Sequence, residues 1–246
     1  MNRKYHVIIV LPLVVFLIGV SVLIYPYINR AVTNIEMSER VNAFASQADS
    51  VYDKPDITYT DNAISSDNTY TQLWNDMQAY NALIFEQRQS ELQSKSDYEV
   101  PSFVLADYGL ESEVFAILSI PAMDLEMPIY LGATDEHLRD GAAHLSQTSL
   151  PIGGENTNCV IAGHRGYNGA PYFRYIDKLQ IGNIVTVTNL WETLIYTVVD
   201  IQIIDPDDIE AIHIQEGQEL LMLLTCHPYA SGGKQRYLVV CERTEM

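Results

Sequence analysis

Cysteine is scarce in this chain, with only Cys159, Cys226 and Cys241 among 246 residues. An odd, sparse count excludes a disulfide framework and leaves at least one thiol free. Positive charge is short as well. Lys and Arg total 14 against 32 Asp and Glu, a formal net charge of −18 that repels phosphate backbones and excludes a nucleic-acid partner. The cysteines and six histidines are too few and too scattered for a zinc site, so neither a metal nor a cofactor is expected. Repeats and low-complexity tracts are absent, and only one apolar run is long enough to cross a bilayer.

That run, Val7 to Ile28, carries no charge and suits a hydrocarbon core of about 30 Å. A cleaved signal peptide would have a shorter apolar core with a small-residue cleavage site close behind; the nearest such site, at 43–46, is too distant. The run therefore reads as an uncleaved anchor. Arg3 and Lys4 precede it and Arg30 follows, a mild bias that keeps residues 1–6 in the cytosol and the rest outside. No second apolar span follows.

Residues 29–101 read as an extracytoplasmic helical and linker segment. Met37, Val41, Phe44 and Ala48 recur at helical spacing, as do Leu73, Trp74, Met77, Tyr80 and Ile84 behind an N-cap at Asp67. Between them, residues 53–68 have the Pro, Asp, Asn and Ser of a loop. This segment reads either as a spacer packed against the following domain or as a cover over its active site. From residue 102 the pattern changes to short β-type runs at 114–121, 127–132, 158–164, 184–189, 193–204, 219–226 and 236–242, separated by turn residues. Residues 102–246 therefore form one mostly antiparallel barrel or sandwich.

The chemistry centres on Cys226. It ends the apolar run at 219–226 and is followed by a Pro- and Gly-containing loop, where a rigid strand can offer a thiol to solvent. The competing reading is a buried thiol acting as a small hydrophobe. A nucleophilic thiol needs a basic or cationic neighbour. His6 abuts the apolar run, and His137 and His213 sit in polar, surface-like surroundings. His227 adjoins the cysteine, but successive residues of a strand face opposite ways. His144 in a polar stretch reads either as a structural or as a substrate-side group. His164 suits best, because its strand ends just as that of Cys226 does. Arg236 supplies a fork of donors for a carbonyl oxygen or oxyanion. Arg165 competes for that role, yet alternation turns it away from His164. Cys159 and Cys241 read as core thiols, with a disulfide between them left open. Tyr167, Tyr172 and Phe173 read either as groove lining or as loop packing.

The motifs LLTCHPY and QRYLVV, with CVIAGHRG upstream, closely resemble the sortase signature. AILSIPAMDLEMPIYLG and AAHLSQTSLPIGGENTN look like the pilin-polymerising class C branch, so the resemblance covers roughly residues 102–243. It implies an eight-stranded β-barrel and a cysteine transpeptidase, with Cys226 as nucleophile, His164 as acid, base and cation, and Arg236 orienting substrate and holding the oxyanion. Thr225, His144 and Tyr167 are secondary substrate-binding candidates. The implied partners are surface or pilin proteins bearing a C-terminal LPXTG-like sorting signal, and an amine acceptor, either a pilin lysine or a cell-wall peptide. The chain departs from class C in two respects: residues 80–103 lack an Asp-Pro-aromatic lid triplet, and a second span is missing.

Two rival readings are weaker. Leu150–Gly154 superficially resembles a sorting signal, which would make the chain a substrate, but nearly a hundred residues of domain sequence follow it. A papain-like protease would place its cysteine before its histidine, the reverse of the order here.

Overall fold

In a computed structural model, residues 3–52, 66–92, 95–167 and 170–244 are described. Two helices lead the chain: α1 (Arg3–Tyr52) and α2 (Ser66–Glu86). A short α3 (Asp135–Asp140) lies among eight strands: β1 (Val114–Ile120), β2 (Leu125–Leu131), β3 (Ala142–His144), β4 (Thr157–Ala162), β5 (Ile184–Thr188), β6 (Thr193–Ile204), β7 (Glu219–His227) and β8 (Gln235–Arg243). The strands close into a barrel in the order β1-β2-β3-β4-β7-β8-β6-β5. Two pairs are parallel, β2 with β3 and β4 with β7, and the others are antiparallel.

The barrel's seven longer strands coincide with the apolar runs read from the sequence, and β3 is the addition. Its three residues carry little signal of their own and form a strand because β2 and β4 flank them on both sides. The expected cap residue Asp67 lies in the first turn of α2, which begins at Ser66. Most of the expected loop at 53–68, residues 53–65, lies outside the described residues.

β7 and β8 are buried on both faces, which explains their continuous apolar runs. Leu221, Leu223, Val239 and Cys241 join the main core inside the barrel, together with Phe115, Ile161 and Phe173. Leu220, Met222, Leu238 and Val240 face outward into a second cluster, covered by Leu145, Ile212 and Tyr98. Two layers therefore sandwich the strand ends that matter most for chemistry.

The early part of α1 exposes Leu13, Phe16, Ile18, Leu23 and other large apolar side chains to solvent. The stretch Leu13–Ala48 is long and apolar enough to cross a membrane. Its last turns behave differently. Met37, Val41, Phe44 and Ala48 sit on one helical face at spacings of three and four, and all are buried in the main core. Leu73 and Met77 of α2 join the same core, with Trp74 and Tyr80 half-buried against it, so both helices pack on the barrel. Arg40 of α1 reaches α3, its Nη2 lying 3.2 Å from Asp140 Oδ2 and its Nη1 donating to the Asp140 carbonyl at 3.1 Å.

Candidate active site

The meeting of three strand ends builds the site. β4 and β7 run parallel with Ala162 beside Leu224. One residue further, the Gly163 amide donates to Leu224 O at 3.1 Å and Thr225 Oγ1 donates to Gly163 O at 2.6 Å. Carried one more step, this register brings His164 alongside Cys226. Across the other edge of β7, Cys226 stands directly opposite Arg236 in the antiparallel ladder with β8. Paired residues share a face, so the two side chains project together.

All three residues line one cleft of about 290 Å³. Its walls are Ala162, Leu138 and Leu224, the connection after β6 with Asp205 and Asp208, and the segment at Tyr98 and Glu99. Cys226 is exposed, whereas Cys159 and Cys241 are free and buried in the core. Burial raises both core thiols, that of Cys241 to about 12, and the open question of a disulfide between them is answered by two reduced core cysteines. A larger cleft of about 850 Å³ lies on the other side of α3 and contains none of the three residues.

His164 stacks on Tyr167, with ring centroids 4.7 Å apart and planes at 15°, and meets the edge of Tyr172 at 6.2 Å. Burial lowers its pKa by disfavouring the imidazolium, and the Asp135 carboxylate partly opposes this. Gly163 precedes His164 because a Cβ there would come within 2.9 Å of the Phe173 ring. The Arg236 guanidinium donates through Nη1 to Gly233 O at 2.8 Å and to Gln235 O at 3.1 Å, which anchors it to the loop after β7. Gly233 has φ +75°, and a Cβ there would sit 3.2 Å from Cys226 Sγ and 3.0 Å from Arg236 Nη1.

Several residues fall elsewhere than the sequence suggests. His144 is wholly buried and does not line the cleft; its Nε2 lies 3.2 Å from Thr148 O and 3.0 Å from Ser149 O, and burial lowers its pKa to about 4. Thr225 does border the cleft, though it is largely buried and its hydroxyl holds Gly163. Tyr172 and Phe173 are buried in the core, the Tyr172 edge meeting His164 from there, while Tyr167 stacks on His164 without itself lining the cleft. His137 and His213 are half-buried rather than solvated. His137 Nδ1 lies 2.7 Å from Gly132 O and its ring stacks on Tyr130, while His213 pairs with Glu210 at 3.3 Å. Tyr98, Glu99 and Gly233 escaped the sequence reading. Only Gly233 left a signal, as half of a Gly-Gly pair in the loop after the cysteine.

The Tyr98 segment is pinned over the cleft by its backbone. Tyr98 O accepts from the Ala133 amide at 2.8 Å and from the Ser146 amide at 3.3 Å, and Val100 O accepts from Ser146 Oγ. Among the described residues, no three His, Cys, Asp or Glu side chains converge as metal ligands.

The family model for the sortase domain matches residues 118–244. Sortase D of Bacillus subtilis is 31% identical over 129 residues, which are 52% of this chain and 62% of that protein. Among solved structures, sortase C of Streptococcus pneumoniae aligns with a TM-score of 0.68 at 30% identity, covering 83% of this chain and 97% of the other. Pilus island 1 sortase C2 of Group B Streptococcus aligns at 0.60 and 33% identity, covering 72% and 98%. The match spans more than half the chain and includes all three strand ends of the cleft, so the chain belongs to the sortase family, whose members are cysteine transpeptidases.

Proposed function

We propose that this chain is a membrane-anchored transpeptidase that cleaves an LPXTG-like sorting signal and passes the acyl group to an amine. The observation that carries this reading is the placement of His164, Cys226 and Arg236 on adjacent strand ends within one cleft. In this reading the Cys226 thiolate attacks the carbonyl carbon of the Thr–Gly bond, and the Arg236 guanidinium stabilises the oxyanion. The C–N bond then breaks as the His164 imidazolium gives its proton to the departing glycine amine. A thioacyl enzyme remains. The acceptor amine attacks it, loses its proton to His164, and the C–S bond breaks to regenerate the thiolate.

The pilus context of solved neighbours such as sortase C1 of GBS pilus island 1 favours a pilin lysine as acceptor. A cell-wall peptide is the second reading, supported by the likeness to sortases of other classes such as Sortase A of Bacillus anthracis. Arg3 and Lys4 before the apolar stretch favour a cytosolic N-terminus with the barrel outside.

The test uses the full chain in detergent with an LPXTG-type peptide and an amine acceptor, followed by mass spectrometry. A thioacyl adduct that passes to the amine, and that is lost in Cys226→Ala and His164→Ala, is the expected result. A folded protein whose Cys226 reacts with an alkylating agent, yet which acylates with none of several sorting peptides, would overturn it.

A further inference from the structure

Alternation along a strand sends the sequence neighbours of the three cleft residues to the opposite face. There those neighbours meet. Arg165, which follows His164, is buried, with only 6% of its side chain exposed. Its Nη1 lies 3.0 Å from Nδ1 of His227, the residue after Cys226. Its guanidinium carbon lies 5.1 Å from the ring centre of Tyr237, the residue after Arg236. The His227 and Tyr237 rings lie 5.6 Å apart, and Arg165 Nη2 reaches Asp177 Oδ2 at 3.4 Å. One guanidinium thus touches the immediate neighbour of each of the other two cleft residues while adjoining the third.

A guanidinium only donates, so His227 Nδ1 is the acceptor and the ring's proton sits on Nε2. Stability is a poor reason for this arrangement. A buried cation carries a desolvation cost, and a well-packed apolar side chain of similar volume serves a fold about as well. Here such a replacement would strand no buried charge, since Asp177 is mostly exposed and has water as a partner. Arg165 Nε also finds no hydrogen-bond partner among the described residues, so the head group is placed for its two Nη contacts rather than for full satisfaction.

We propose that Arg165 is a positioning residue for the reaction. By bonding to the back of β7 and stacking on the back of β8, it sets the relative placement of the strand ends that present His164, Cys226 and Arg236. This rests on those three residues being the catalytic set. The contribution belongs to geometry at the moment of attack, where a displacement of about 1 Å can cost on the order of 100-fold in rate.

The experiment measures thioacyl formation by the full chain in detergent, with kcat and KM for an LPXTG-type peptide and thermal midpoints taken in parallel. Arg165→Met should lower kcat about ten-fold or more with KM within about two-fold of wild type, rates being normalised to folded protein. Arg165→Lys, which keeps a donor, should recover part of the loss. His227→Leu should reproduce the defect, and His227→Gln, which keeps an acceptor, should repair it. A folded Arg165→Met with wild-type kcat, or a loss confined to KM, overturns the proposal. If Arg165→Met does not fold, the two His227 variants decide: equal activities overturn it. A wild-type protein that forms no thioacyl adduct would instead remove the catalytic reading itself.

Discussion

Gly233 shows how little room the cleft leaves around its sulfur. A methyl group there would press on both Cys226 Sγ and Arg236 Nη1 and would strain a backbone held at φ +75°. Gly233→Ala is expected to lower thioacyl formation at least ten-fold while costing only about 1 kcal/mol of stability, as read by kcat and by urea unfolding. His164 offers a second check at this scale. Asp135 favours its imidazolium, so Asp135→Asn should move the His164 titration to lower pH, followed by the imidazole proton resonances or by the corresponding limb of the rate profile. Residues of this kind differed in how far they could be read from sequence. Cys226, His164 and Arg236 stood out because each borders a long apolar run and matches a motif. The contact of Arg165 with His227 did not, because it depends on β4 lying beside β7, a parallel pairing between segments some sixty residues apart. His144 reads two ways from sequence because its neighbours are polar, and the carbonyls of Thr148 and Ser149 make its burial tolerable.

Secondary-structure elements were legible wherever the pattern was local. The period of α1 announced its buried face, and β6 spans the same residues in sequence and structure. β3 is short enough that only its neighbours define it. The way α1 docks gives a prediction at this level. Phe44 is 1% exposed and is among the largest fully buried side chains, so Phe44→Ala should destabilise the folded barrel by about 3 kcal/mol, measured by urea unfolding of the full chain in detergent. An unchanged midpoint would mean that the last turns of α1 rest on the barrel without contributing to its stability. Arg40 extends the same contact to α3, whose Leu138 forms part of the cleft wall.

At the scale of the whole molecule, acid should weaken the fold in a defined window. His144 is buried with a pKa of about 4, against 6.5 when exposed. Between these values the unfolded chain binds a proton that the folded chain refuses, so stability is intact above pH 6.5 and falls as the pH drops toward 4. The loss from this one group is on the order of 3 kcal/mol. Unfolding midpoints at pH 7, 5.5 and 4.5 should therefore decline more steeply for wild type than for His144→Gln; parallel slopes would assign the decline to other groups.

Closure of the barrel has a consequence for how a peptide can be recognised. At the cleft β8 is paired on both edges as far as Arg236, with Cys226 of β7 on one side and Ile204 of β6 on the other, so a sorting peptide laid across Arg236 would find no free edge of β8 to extend. Main-chain zippering, which is indifferent to side-chain identity, is therefore unavailable along β8 at the cleft. In the proposed reading affinity then comes from the shape of the cleft and from loops such as the one bearing Asp205 and Asp208, which would tie binding to the letters of the motif rather than to the extended shape of its backbone. A peptide in which a backbone amide remote from the scissile bond is replaced by an ester should consequently bind almost as well as its parent.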